Sequence, residues 1–304
     1  MSVSTTTSPS LRIALAPAGA AGFDPGVPVL AGETEEHLFA GLAFEGTAGA
    51  LQVYGNRDWR VGAAAVPLDA GLEAATGQVY DDLLAAVGDR RLVRIWNYVP
   101  AINADGPEGL ENYRAFCRGR SLAFERAFGS DFKAHLPAAS AVGCQHDRLT
   151  VVFAASRHPA RHVENPLQVP AYDYPSDYGP RSPSFARATR VELAGRTAVF
   201  ISGTSAVRGH ATIAPESTLA QLDCTVENLR ELSLACGLGP DLAARRGLRR
   251  HFKIYLRHAS DLAAVQAGLR DRLIRPGDEV SYVLSDICRA ALNIEIEATL
   301  LPRG

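Results

Sequence analysis

The chain has 304 residues, 47% of them apolar and 21% charged, with a net charge of −2. That balance leaves no electrostatic footprint for nucleic acid or an anionic membrane surface, and no apolar run approaches the roughly 20 residues that span a bilayer. The length predicts two domains of roughly 150 residues each.

In chain order, residues 1–10 are rich in Ser and Thr and lack the basic and apolar regions of a signal peptide. Residues 1–45 give no clear element pattern. Strands are expected over 50–54, 92–99 and 149–155, and helices over 72–88 and 109–128. The stretch 165–184, NPLQVPAYDYPSDYGPRSPS, is too proline-rich for regular structure and too aromatic for a disordered tether. It reads as an ordered crossing loop whose tyrosines enter a pocket. The second half predicts a strand over 197–201 and a helix over 218–237 with Gly237 as its C-cap. A strand over 252–257, a helix over 261–272 and a terminal hairpin over 285–300 follow.

This order is written twice, at an offset of about 145 to 160 residues, which points to an internal duplication. The expected division is 1–155 and 156–304. Five scattered cysteines (117, 144, 224, 236 and 288) lack CxxC spacing, and no histidine shows ligand spacing. They predict a reducing, cytoplasmic setting with no zinc site or disulfide framework.

Candidate chemistry gathers near the end. Ile294 and Ile296 alternate with Glu295 and Glu297, so both carboxylates project from one face of the last strand. A solvated strand face and an acid lining a pocket are both compatible with this pattern. The other copy carries Val152 and Ala154 in those places, as a degenerate copy beside an active one would. Lys253, Tyr255 and Arg257 share a face of their strand and could receive a carboxylate, although a solvated basic face would read the same way. Cys288 has no nearby histidine and as a lone cysteine on a buried strand reads as core. Gly203, just after a strand, admits close approach of a ligand or another backbone. The surrounding Ser202-Gly203-Thr204-Ser205 is neither a nucleophile elbow nor a phosphate loop.

The segments RIWNYVPAIN (94–103), GLENYRAFCRGR (109–120), ENPLQVPAYDYPSDYGPRSPSFARA (164–188), ISGTSAVRGH (201–210), FKIYLRHASDL (252–262) and SDICRAALNIEIEA (285–298) together resemble the chorismatase family. The C-terminal half also resembles the YjgF-like reactive-intermediate deaminase fold. The resemblance implies an α+β protein of two tandem YjgF-like (chorismate mutase-like) units, pseudo-symmetric, with mixed sheets packed against helices and the first unit degenerate. It implies cleavage of the enolpyruvyl ether of chorismate, with Glu295, seven positions after Cys288, as the acid. Glu297 is at best support. Lys253, Tyr255, Arg257, Tyr113, Tyr174, Arg181 and Arg187 are the implied binders of the substrate carboxylates.

The branch of the family that makes 3-hydroxybenzoate has a cysteine before the glutamate and a small glycine in the pocket, which Cys288 and Gly203 match. A hydrolase giving a dihydroxycyclohexadiene carboxylate and a 4-hydroxybenzoate-forming enzyme remain alternatives, as does a non-catalytic module that binds small carboxylates. Two departures stand out. Asp286 occupies the place where deaminase relatives carry an arginine, which disfavours imine deamination. Leu167 stands where a basic residue is expected in chorismatases. Neither a metal nor an organic cofactor is implied, chorismate is the one expected partner, and in-chain duplication suits a monomer, with a trimer as the alternative.

Overall fold

The computed structural model describes residues 9–15, 22–107, 109–243, 247–270 and 272–303. Four short strands come first: β1 (Arg12–Ala14), β2 (Gly22–Phe23), β3 (Val29–Gly32) and β4 (Glu35–His37). β1, β2 and β4 form a small sheet, while β3 leaves it for a larger one.

The first unit consists of β5 (Ala43–Ala48), β6 (Leu51–Gly55), β7 (Trp59–Val66), α1 (Leu72–Val87), β8 (Arg91–Pro100), α2 (Asn112–Phe128), β9 (Ala138–Cys144) and β10 (Leu149–Ser156). Its sheet order is β5-β6-β7-β10-β8-β9. The second unit runs β11 (Ala160–Val163), β12 (Ala188–Leu193), β13 (Arg196–Ser205), a two-strand ribbon β14 (Val207–Arg208) and β15 (Ala211–Thr212), then α3 (Thr218–Ala235), β16 (Leu248–Leu256), α4 (Leu262–Leu269), β17 (Glu279–Leu284) and β18 (Ile294–Pro302). Its order, β11-β12-β13-β18-β16-β17-β3, repeats the first and adds β3 at the edge. In both units the last strand inserts antiparallel between two others, and the pairs β8–β9 and β16–β17 are parallel. The fold is therefore α+β and built of two tandem, pseudo-symmetric units.

Each sheet is covered on one face by its own helices. α1 buries Leu72, Thr76, Val79, Tyr80, Leu83 and Val87, the three-and-four spacing of a helix stripe. α3 buries Leu222, Thr225, Leu229 and Leu232 in the same way against the second sheet. The other two faces meet each other, and Trp96, Tyr98, Val152 and Ala154 of the first sheet share a core with Val191, Phe200 and Tyr255 of the second. Because both faces are covered, β8 and β18 read as nearly unbroken buried runs.

Three expectations need correction. Residues 285–300 are not a hairpin: β17 lies beyond β16 from β18, and Cys288 sits in the irregular segment joining β17 to β18. The strand equivalent to β13 is β7, not residues 50–54, since β7 and β13 hold the same place beside the inserted strands. Both β7 and β9 escape a sequence reading because their alanine-rich stretches, WRVGAAAV and AASAVGC, carry little intrinsic strand preference. Their pairing partners decide their state. The helices also start or stop within a few residues of expectation, with α4 shortened to Leu262–Leu269.

Candidate active site

A cavity of about 340 Å³ opens between the two units. Its floor joins the starts of β9 and β18 to the end of β13, through Ser140, Glu295, Gly203 and Ser205. One wall is the first half of α2 with Tyr113 and Arg120, and another is the crossing loop with Gln168, Tyr174, Tyr178 and Arg187. Cys288 and Arg289 close the third side.

Glu295 is 3% exposed and takes a hydrogen bond of 3.2 Å from the Ser205 hydroxyl at Oε2. Burial, and after it the charge of Glu297, pushes its pKa up to about 8, against the pull of Ser205, Arg94 and Arg187. The carboxyl is thus an acid that holds its proton at neutral pH. Gly203 is where the backbone makes room for it, because a Cβ there would collide with the Glu295 carboxyl group. The Gly203 N–H in turn donates to Ser140 Oγ at 3.1 Å, which fixes β9 against β13.

Glu297, one pleat further along β18, points into the layer between the sheets. It accepts hydrogen bonds from Trp96 Nε1 at 2.8 Å and from the Arg94 guanidinium at 2.6 Å. Its other partners are the Ser140 hydroxyl and the Lys253 ammonium, the latter at 2.8 Å. Burial opposes its charge, but Lys253 and Arg94 outweigh that and hold its pKa below the usual carboxylate range. Two glutamates on one strand face therefore differ in state, one a neutral acid and one an anion.

The cavity's cations come from places the strand trio does not occupy. Arg120 is 1% and Arg187 5% exposed, and the Nε–H of each is buried without an acceptor among the described residues. Arg187 donates to Tyr174 Oη at 2.7 Å and to the Val169 carbonyl at 3.2 Å. Arg289 lies over the Tyr178 and Tyr174 rings at 4.4 and 5.3 Å. Desolvated guanidinium groups with free donors cost folding energy unless an acceptor completes them. Gln168 adds a buried Oε1 that lacks a donor.

Cys288 lines the same cavity, in contact with Ala206, Cys224, Ile287 and Leu292 rather than on a strand. Burial and the neighbouring Glu295 push its thiol up to about 12, so it is protonated at neutral pH. Tyr113 is likewise held well above the ordinary phenol value by burial, then by Cys117 and Cys288.

Of the residues singled out in the sequence, Glu295, Cys288, Tyr113, Tyr174, Arg187 and Gly203 meet at this cavity. Lys253, Tyr255, Arg257 and Arg181 are not among its lining residues. Lys253 is locked between Glu297 and Glu36, each at 2.8 Å. Tyr255 lies in the inter-sheet core with its hydroxyl unpartnered. Arg257 holds the segment after β17, through Asp286 and the carbonyls of Leu292 at 2.8 Å and Arg289 at 3.0 Å. Arg181 pairs with Glu125 at 3.0 Å. Strand alternation placed the trio's first two on the correct face, but that face is the layer between the sheets beneath the cavity. Ser140, Arg120, Gln168, Ser205 and Arg289 were missed. Ser140 sits on a strand without a sequence signal, and Arg120 on a helix whose buried face is otherwise uncharged.

Residues 38–155 match the family model described as "Chorismatase FkbO/Hyg5-like, N-terminal". A chorismatase of Streptomyces rapamycinicus is 36% identical over 257 residues, covering 80% of this chain and 75% of the relative. A 3-hydroxybenzoate synthase of Streptomyces hygroscopicus is 38% identical over 231 residues, covering 72% of this chain and 66% of the relative. Among solved structures, a chorismatase crystal structure superposes with a TM-score of 0.77 at 28% identity, covering 85% of this chain and 78% of that one.

Proposed function

Because this chain belongs to the chorismatase family, we propose that it cleaves the enolpyruvyl ether of chorismate, releasing pyruvate and 3-hydroxybenzoate. The observation that carries the reading is a buried carboxyl group, Glu295, facing a cavity walled by two desolvated arginines with free donors. Chorismate has two carboxylates, and Arg120 and Arg187, with Arg289 at the third side, are the donors suited to them.

In this reading Glu295 delivers its proton to the methylene carbon of the enol ether, and the ether oxygen stabilises the cation that forms. Cleavage consumes one water and yields pyruvate. Aromatisation of the ring, with loss of a ring proton and a hydroxyl group, releases one water. The sum from chorismate to the two products thus balances without an oxidant or co-substrate. Stopping after cleavage would leave the diene diol instead. Cys288, a neutral thiol at neutral pH, serves by positioning the ring or its hydroxyl groups, and the Gly203 side keeps room for the Glu295 carboxyl. Tyr113, Tyr174, Gln168 and Ser205 complete the polar lining.

The relative named 3-hydroxybenzoate synthase and the pairing of Cys288 with Gly203 at one cavity favour the aromatic product. Incubation of purified protein with chorismate, followed by chromatographic separation, tests the proposal: pyruvate and 3-hydroxybenzoate are expected. No pyruvate would overturn the reading, and pyruvate with diene diol or 4-hydroxybenzoate would reassign the product. We further assign the enzyme to the cytoplasm as a monomer with a division at 155/156, β3 crossing to the second sheet. Among the described residues no helix is long and apolar enough to cross a membrane.

A further inference from the structure

Beneath the cavity floor lies a buried row of charges that does not line the cavity. Lys253 Nζ stands 2.8 Å from Glu297 Oε1 and 2.8 Å from Glu36 Oε2, and 3.1 Å from Tyr98 Oη. Arg94 contacts Glu297 on the opposite side at 2.6 Å and also meets Ser140. Glu36 continues the row through His251 Nδ1 at 3.1 Å, and His251 Nε2 reaches Ser281 Oγ at 3.1 Å. All five ionisable groups, Glu36, Arg94, His251, Lys253 and Glu297, are at most 3% exposed. They come from four strands of three sheets: β4, β8, β16 and β18.

The arithmetic of this row bears on Glu295. Leaving the imidazole of His251 aside, two carboxylates face two cations, and each cation already has a carboxylate in contact. Glu297 contacts both cations at once, and they hold it in its charged form against burial. Glu295 is two residues away on the same strand and face, pairing across β18–β16 with Tyr255 while Glu297 pairs with Lys253. The Tyr255 hydroxyl is buried with no hydrogen-bond partner among the described residues and supplies no cation. Glu295 thus meets the charge of Glu297, opposed by Arg94 from the row and by Arg187 from the cavity wall, while Arg94 and Lys253 are themselves in contact with Glu297.

We propose that Glu297 and Lys253 are opposed positioning residues for the acid: Glu297 keeps Glu295 in its protonated form, Lys253 limits that effect, and Glu36 on the N-terminal arm anchors Lys253 away from the cavity. The proton affinity of the site is then set in the layer between the units, by groups outside the reach of the substrate. The groups facing Glu297 are Arg94, Trp96 and Tyr98 from β8, Ser140 from β9, Lys253 and Tyr255 from β16, and Glu36 from β4. The proposal rests on Glu295 as the acid, as argued above.

The test titrates the carboxyl carbon of Glu295 by NMR in protein carrying ¹³C-labelled glutamate, the resonance being assigned by its loss in Glu295→Gln. Glu297→Gln is expected to move the Glu295 midpoint down by about one pH unit or more, and Lys253→Met to move it up. Shifts of opposite sign are the signature, because a purely structural loss would not produce a signed pair. An unmoved midpoint in either folded variant, or a shift of the wrong sign, overturns the proposal, and if one variant fails to fold the other still has a signed outcome. This readout does not depend on turnover. Absence of pyruvate release from the unaltered protein would therefore count against the proposed reaction alone. With turnover, the alkaline limb of kcat/KM against pH should move in the same directions as the NMR midpoints.

Discussion

Two glutamates two residues apart on β18 behave differently because their neighbours differ, not because their chemistry does. Glu297 has Arg94, Lys253 and Trp96 as partners, whereas among the described residues Glu295 has only the Ser205 hydroxyl. Glu295→Gln should therefore abolish pyruvate release, measured by coupled assay, while leaving the fold intact, since an amide keeps the shape and the Ser205 contact. The pH dependence has a definite sign. An acid active in its protonated form loses rate as pH rises through its pKa, so the rate should fall on the alkaline side near about 8. The same shift acts on stability. A carboxyl whose folded pKa lies above its unfolded value binds its proton more tightly when folded, so its contribution is complete at low pH. It is lost as pH rises from the ordinary carboxylate range through about 8. The melting temperature of the unaltered protein should accordingly drop relative to Glu295→Gln across that window, and parallel curves would contradict the assignment.

The segment from Ser285 to Asn293 shows how an irregular stretch is made rigid enough for a site. Arg257 bonds the carbonyls of Leu292 and Arg289 as well as Asp286, and Gln221 on α3 takes the Asn293 N–H and gives a bond to the Ala291 carbonyl, both at 2.8 Å. Cys288 is held between these clamps. Arg257→Met removes several hydrogen bonds to largely buried carbonyls and should cost about 2 kcal/mol in urea denaturation. It should also lower kcat/KM, because the cavity wall is loosened, although Arg257 itself does not line the cavity. Cys288→Ala leaves the clamps in place. It should change the ratio of aromatic to non-aromatic product, resolved by chromatography, more than it changes pyruvate release.

Across the whole molecule, the N-terminal arm binds the second unit in two ways. β3 closes the edge of the second sheet beyond β17, where an open strand edge would invite aggregation. Glu36 on β4 completes the buried row with Lys253 and His251. Glu36→Ala leaves a buried ammonium with one partner fewer and should destabilise the protein by about 3 kcal/mol, read from denaturant midpoints. Binding should counter such losses: a dicarboxylate that fills the free donors of Arg120 and Arg187 should raise the melting temperature with concentration.

The duplication and the ordering of the tyrosine loop were legible from residue pattern alone, whereas Glu295 and Glu297 read equally as a solvated face or a pocket acid until the family resemblance was added. Periodicity survives wherever a helix stripe or a strand face is buried on one side, as in α1 and α3. The comparison of Glu295 and Glu297 with Val152 and Ala154 worked because β10 and β18 hold equivalent places in their sheets. What sequence pattern could not decide was the company each side chain keeps. Lys253 and Tyr255 are on the face expected of them, yet that face meets a second sheet instead of a ligand, and the difference lies in how the two units pack. β9 and its Ser140 carry no strand preference of their own and are placed by pairing with β8 and docking on β13. Secondary structure follows from local preference and burial period, both written in adjacent residues. The ionisation state of Glu295 follows from desolvation and from charges that strands far apart in sequence bring within a few ångströms, and only the tertiary structure supplies those.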